Sequence, residues 1–124
     1  MELFLYSISK ESILAHEPLN KFYYPIHLAC EYGRLDMVKH LVLEEKVNIN
    51  PVCKLSGFTP LMYSCQVGSY DITTFLSLQE DCDHTVKSYL SGRDARQICV
   101  DTHFDKLIDI VDGMNKRMHG KKHQ

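Results

Sequence analysis

The stretch YYPIHLACEYGRLDMVKHLV, Tyr23 to Val42, reads as two short helices divided by Gly33, with Pro25 opening the first. Proline suits the first helical position, where its missing N–H has no intrahelical partner to lose, and glycine readily takes the left-handed conformation that ends a helix. Past the glycine, Met37, Val38, Leu41 and Val42 line one face of the second helix. A helix pair this small cannot bury its own apolar face, so other parts of the chain must cover it.

Sliding the chain by 35 residues shows what covers it. Pro25 falls on Pro60, Cys30 on Cys65, Gly33 on Gly68, Asp36 on Asp71 and Leu41 on Leu76. A second slide puts Gly57 on Gly92, Thr59 on Asp94, Pro60 on Ala95 and Ile72 on Leu107. The segments YPIHLACEYGRLDMVKHLV, TPLMYSCQVGSYDITTFLS and DARQICVDTHFDKLIDIVD therefore share one register. Stacked units of this kind pool their apolar faces into one continuous core.

The stretches TPLMYSCQVG and YPIHLACEYG resemble the T-P-L-H-x-A signature of the ankyrin repeat, a β-turn followed by two helices. Gly57 to Gly68 follow the family pattern closely, Tyr24 to Gly33 less closely, and Gly92 to Thr102 loosely. The resemblance covers residues 19 to 112 and implies an all-α, ankyrin-type solenoid of stacked helix-turn-helix repeats with β-turn fingers. The family repeat is usually about 33 residues long. Alignment on Leu41 and Gly57 places the two extra residues between the second helix and the next turn. The expected division is an N-terminal cap at 1–18 with a helix over Glu2–Ile8, repeats at 19–53 and 54–88, a capping repeat at 89–114, and a basic, disordered tail at 115–124.

Local chemistry agrees with this division. Thr59 and Asp94 can cap helices that begin at the next residue, with Gln97 as a capping-box partner for Asp94. Asp36 and Asp71 fall in the first turn of the second helices, where the helix dipole favours negative charge. The resemblance also implies a hydrogen bond between signature Thr and His within a repeat. Tyr24 stands beside His27, however, and Thr59 is followed by Met62, so neither full repeat has both partners. Weaker turns than in idealised arrays are expected.

Composition bounds the function. The chain has 124 residues, 44% apolar and 24% charged, with a formal charge of −2, which argues against a domain built throughout for nucleic acid. No apolar run reaches the roughly 20 residues of a membrane span. MELFLYSISKE carries Glu2 where a secretory leader carries positive charge, and reads as mature structure. Five scattered cysteines do not form a secreted disulfide framework, and a reducing compartment, cytoplasmic or nuclear, is expected. Cys30, Cys65 and Cys99 take small-residue positions and read as packing residues, whereas Cys53 and Cys82 fall in loops as candidate exposed thiols.

Site chemistry is sparse. EDCDH, Glu80 to His84, contains zinc-ligand types without a second ligand pair, and lacks the oxygen spacing and glycine of a calcium loop. It corresponds to EEKVNIN one repeat earlier and reads as a solvated loop, with no metal and no cofactor expected. No nucleophile elbow or phosphate-binding glycine loop is present. A Cys82–His84 pair is the one enzymatic arrangement to weigh, and nothing in the sequence orients it. His40 is expected on the solvent side of its helix. The tail NKRMHGKKHQ could serve a nucleic acid or an anionic membrane, the alternative to a protein partner.

The resemblance implies binding through the turn fingertips and the exposed side of the first helices. In the shared register Tyr23, Phe58 and Arg93 precede the signature Thr position, flanked by Lys21, Leu55 and Ser56; Tyr23 and Phe58 read equally as fingertip contacts or as rings packed over neighbouring turns. Glu31 and Tyr32, Gln66 and Val67, then Asp101 and Thr102 end the first helices. Aromatic residues and arginine are the types that dominate binding energy at interfaces. The expectation is a monomeric, non-enzymatic protein-interaction module with a protein or peptide partner.

Overall fold

The computed structural model describes residues 16–19 and 23–122; the expected cap helix at Glu2–Ile8 and Lys21 lie outside them. The described residues form helices and turns without strands. Three helix pairs follow one another: α1 (Pro25–Glu31) with α2 (Leu35–Lys39), α3 (Pro60–Val67) with α4 (Tyr70–Ser77), and α5 (Ala95–Asp101) with α6 (Asp105–Lys122). First helices stack as α1, α3, α5 and second helices as α2, α4, α6, giving two layers.

Each pair starts and stops as its sequence dictates. Thr59 Oγ1 accepts from the Met62 N–H at 3.3 Å, and Asp94 Oδ1 accepts from the Gln97 N–H at 2.9 Å. The reciprocal arm of the expected capping box is absent: Gln97 Nε2 donates to Asp101 instead, at 3.4 Å. Gly33 and Gly68 close α1 and α3 with φ of +69° and +74°, the left-handed region expected of them. Asp36 and Asp71 stand in the first turns of α2 and α4.

The 35-residue register becomes columns in the core. Met37, Ile72 and Leu107 form one buried column, and Leu41, Leu76 and Val111 another. Each such side chain contributes about 1.5–3 kcal/mol by leaving water. Ala29, Ser64 and Cys99 are the small residues at one buried position of the first helices. Ala29 and Val38 of the first pair become Ser64 and Thr73 in the second, where Thr73 Oγ1 donates to Ser64 Oγ at 2.9 Å and Ser64 Oγ donates to the Leu61 carbonyl at 2.7 Å. The third pair departs from the pattern at this position: Arg96, in register with buried Ile26 and Leu61, is exposed and reaches Asp112 at 2.8 Å.

Three sequence expectations need correction. Cys53 and Cys82 lie in loops but are buried, because both loops fold back onto the core. His40 is half-buried and reaches Glu45 at 3.2 Å, because α2 widens into a π-turn over His40–Glu44, closed by Glu45 N–H to the His40 carbonyl at 3.0 Å. From Asn115 the backbone runs on as helix to Lys122 instead of forming an irregular tail. Extending an anchored helix adds one hydrogen bond per residue, and the Lys- and Arg-rich composition suits it.

Candidate interaction surface

Two hairpin-like fingers precede α3 and α5. In the first, the Cys53 N–H donates to the Phe58 carbonyl at 2.9 Å; in the second, the Ser88 N–H donates to the Arg93 carbonyl at 2.9 Å. Gly57 and Gly92, one repeat apart, take φ of +80° and +71° inside them. Ahead of α1, the Leu19 N–H donates to the Tyr23 carbonyl at 2.7 Å. The loops entering the fingers repeat as well: the Asn50 N–H donates to Asn48 Oδ1 at 3.0 Å, and the Thr85 N–H to Asp83 Oδ1 at 2.8 Å. The hydrogen bonds to Thr85 hold the Asp83 carboxyl below its ordinary value.

The fingers are tied to each other. Ser88 Oγ donates to the Ser56 carbonyl, and the Tyr89 hydroxyl is shared between the carbonyls of Cys53, at 3.0 Å, and Lys54. Asn50 bridges the loops behind them, donating to the Asp81 carbonyl at 2.7 Å and accepting from the Asp83 N–H at 2.9 Å. His27 makes the corresponding tie one repeat earlier. Its Nδ1 accepts from the Tyr24 N–H at 3.0 Å, so Nε2 carries the proton and donates to the Pro51 carbonyl at 2.7 Å. Burial pulls the His27 pKa down, consistent with this neutral ring.

The residues expected at the fingertips divide. Tyr23 and Phe58 are half-buried: their rings pack on Tyr63 of α3 at centroid distances of 6.4 and 5.2 Å, and His27 joins them at 5.6 Å. They brace the fingers from behind. Arg93 is exposed and pairs with Asp101. Leu55, placed only as a flanking residue, stands at the tip of its finger and is 49% exposed. Its counterpart 35 residues on, Leu90, is 71% exposed, beside exposed Tyr89. Sequence reasoning passed over Tyr89 and Leu90, although one more slide from Leu55 reaches Leu90.

At the other end of the first helices, Tyr32 and Val67 are 61% and 43% exposed, again one repeat apart. Gln66 is exposed, Glu31 half-buried, Asp101 exposed and Thr102 half-buried. Single exposed apolar residues are ordinary on a protein surface. Large apolar side chains left uncovered at matching places on successive repeats form a ruled surface instead, held by the stack beneath it.

Among the described residues no group of three or more His, Cys, Asp and Glu is placed to hold a metal ion, and no helix is long and apolar enough to cross a membrane. Cys82 is buried while His84 is half-buried. The family model described as ankyrin repeats, in three copies, matches residues 3–88, well over half of the 124-residue chain. Residues 94–112 lie beyond that match, yet α5 and α6 stack on the second repeat in the same register. No curated protein sequence matches the chain.

Proposed function

Because the chain belongs to the ankyrin-repeat family, we propose that it is a non-enzymatic module that holds a protein partner on its fingers and first helices. The observation that carries this reading is the pair Leu55 and Leu90, uncovered at the same place on two fingers that are hydrogen-bonded to each other. The docking set is Leu55, Tyr89, Leu90 and Arg93 on the fingers, with Glu31, Tyr32, Gln66 and Val67 at the helix ends. Tyr23 and Phe58 serve it indirectly by bracing the turns.

The mechanism is rigid presentation. The inter-finger bonds and the aromatic packing on Tyr63 order the surface before a partner arrives, so association loses little conformational entropy. Five free, buried cysteines fit a reducing compartment, and we place the protein in the cytoplasm or nucleus as a monomeric adaptor. Affinity capture from the cells that make the protein tests the reading. Capture is expected to be lost with Leu55→Ser/Leu90→Ser and kept on deletion of residues 115–124. Capture unchanged by the leucine pair, or lost with the tail, overturns it.

A further inference from the structure

We propose that the two fingers take an acidic peptide segment carrying two apolar anchors. This rests on the reading that the fingers are the docking face, and adds the chemistry of what they hold. Every charge on the fingers is positive. PVCKLSGF, residues 51–58, carries Lys54 alone; TVKSYLSGR, residues 85–93, carries Lys87 and Arg93. Lys54 and Lys87 are exposed and make no ion pair among the described residues, while Arg93 shares its charge with Asp101. The acids on either side of the second finger are engaged: Asp83 Oδ1 accepts from Thr85, and Asp94 Oδ1 caps α5. The segment before α1 is mixed instead: by register Glu17 takes the place of Val52 and Lys87, and Lys21 that of Ser56 and Ser91.

Each finger thus carries an exposed lysine and an exposed leucine, so a complementary segment presents carboxylates beside two large apolar side chains. The step between packed helices, about 8–10 Å, sets the distance between its anchors. Two unpaired lysines are a small cationic set for a polyanion, which would gain nothing from Leu55 and Leu90. A second leucine pair supplies an internal control. Leu43 and Leu78 are also exposed and one repeat apart, but they flank an open groove of about 900 Å³ at the far ends of α2 and α4, where Glu80 and Asp81 line the wall.

The test is selection of random dodecapeptides, displayed on phage, against the full immobilised chain. Enriched peptides are expected to be rich in Asp and Glu and to carry two large apolar residues. Leu55→Ser/Leu90→Ser should weaken a labelled selected peptide by at least about tenfold. Lys54→Glu/Lys87→Glu should weaken it by a similar factor at low salt and by less as salt rises. Leu43→Ser/Leu78→Ser should leave it unchanged. Neutral or basic winners that still need Leu55 and Leu90 overturn the acidic chemistry and leave the docking face standing. Winners indifferent to that pair, or no winners, overturn the inference, and the capture experiment then decides the docking face separately. Binding of phosphatidylserine vesicles or single-stranded DNA that survives loss of the leucines assigns the lysines to a polyanion and also overturns it.

Discussion

The ring of Phe104 lies over Gly68, so close that a Cβ added there would meet the ring at 2.5 Å. The third helix pair is thus seated on the glycine that ends α3. Gly68 also has a φ of +74°, where any L side chain is strained, whereas Gly33 has a φ of +69° with open space around it. Gly33→Ala should therefore cost only the backbone term, about 1 kcal/mol. Gly68→Ala should add a steric term and cost about 2–4 kcal/mol in all. Urea unfolding of the two variants measures the difference; equal losses would mean that Phe104 simply swings aside.

His27 should make stability depend on pH. Burial lowers its pKa from 6.5 in the folded protein, so below 6.5 the unfolded chain binds the extra proton more readily. Its contribution is fully present above 6.5 and is lost as pH falls from there through the folded-state value. His27→Gln should flatten that part of the stability curve relative to wild type. His27→Ala should cost about 2–4 kcal/mol at neutral pH, by opening a cavity and leaving Tyr24 N–H and the Pro51 carbonyl without their partner. Denaturation midpoints between pH 5 and 8 check both, and a parallel pair of curves for wild type and His27→Gln rejects the titration.

The Ser64–Thr73 pair predicts non-additive mutations. Ser64→Ala strands the buried Thr73 hydroxyl and should cost about 1–3 kcal/mol. Thr73→Val leaves Ser64 its bond to Leu61, so its cost should be smaller. The double variant recreates the Ala29–Val38 arrangement of the first repeat and should return to within about 1 kcal/mol of wild type. A double-mutant cycle by thermal or chemical unfolding measures the coupling, and simple addition of the two losses contradicts it.

The thiols should react in a defined order. Burial pushes the Cys30 thiol far up, so it should label only on unfolding. Burial acts in the same direction on Cys53, but hydrogen bonds from the Tyr63 hydroxyl and from the backbone of Ser56 and Leu55 outweigh it and leave the thiol below its ordinary value. Cys53 also sits on a finger, where local opening is easier than in the helix stack. Labelling at neutral pH should show Cys53 ahead of Cys30, with Tyr63→Phe slowing the first phase. Mass spectrometry of the modified peptides identifies the residue, and early labelling of Cys30 would contradict the packing described.

Much of the fold was legible because a repeat writes the same physics more than once. Thr59, Asp94, Gly33 and Gly68 each announce a helix end through local chemistry, and the buried Met37–Ile72–Leu107 column appears as identical spacing in the chain. The candidate surface was less legible. Register told which residues occupy equivalent places, but not whether Tyr23 and Phe58 face a partner or pack over their neighbours; both lean on Tyr63. Leu90 needed no new information beyond Leu55. Tyr89 did, since its hydroxyl binds carbonyls 35 and 36 residues away.

The amino-acid order alone therefore determined the stacked helix pairs, their caps and the positions shared between repeats, because those follow from near-neighbour conformation and periodic apolar spacing. Only the tertiary structure decided which finger residues face solvent, that His27 reaches Pro51, and that Cys53 and Cys82 are covered. Each of those outcomes depends on where an adjacent turn lies, and a contact between turns about one repeat apart leaves no mark in the local sequence of either.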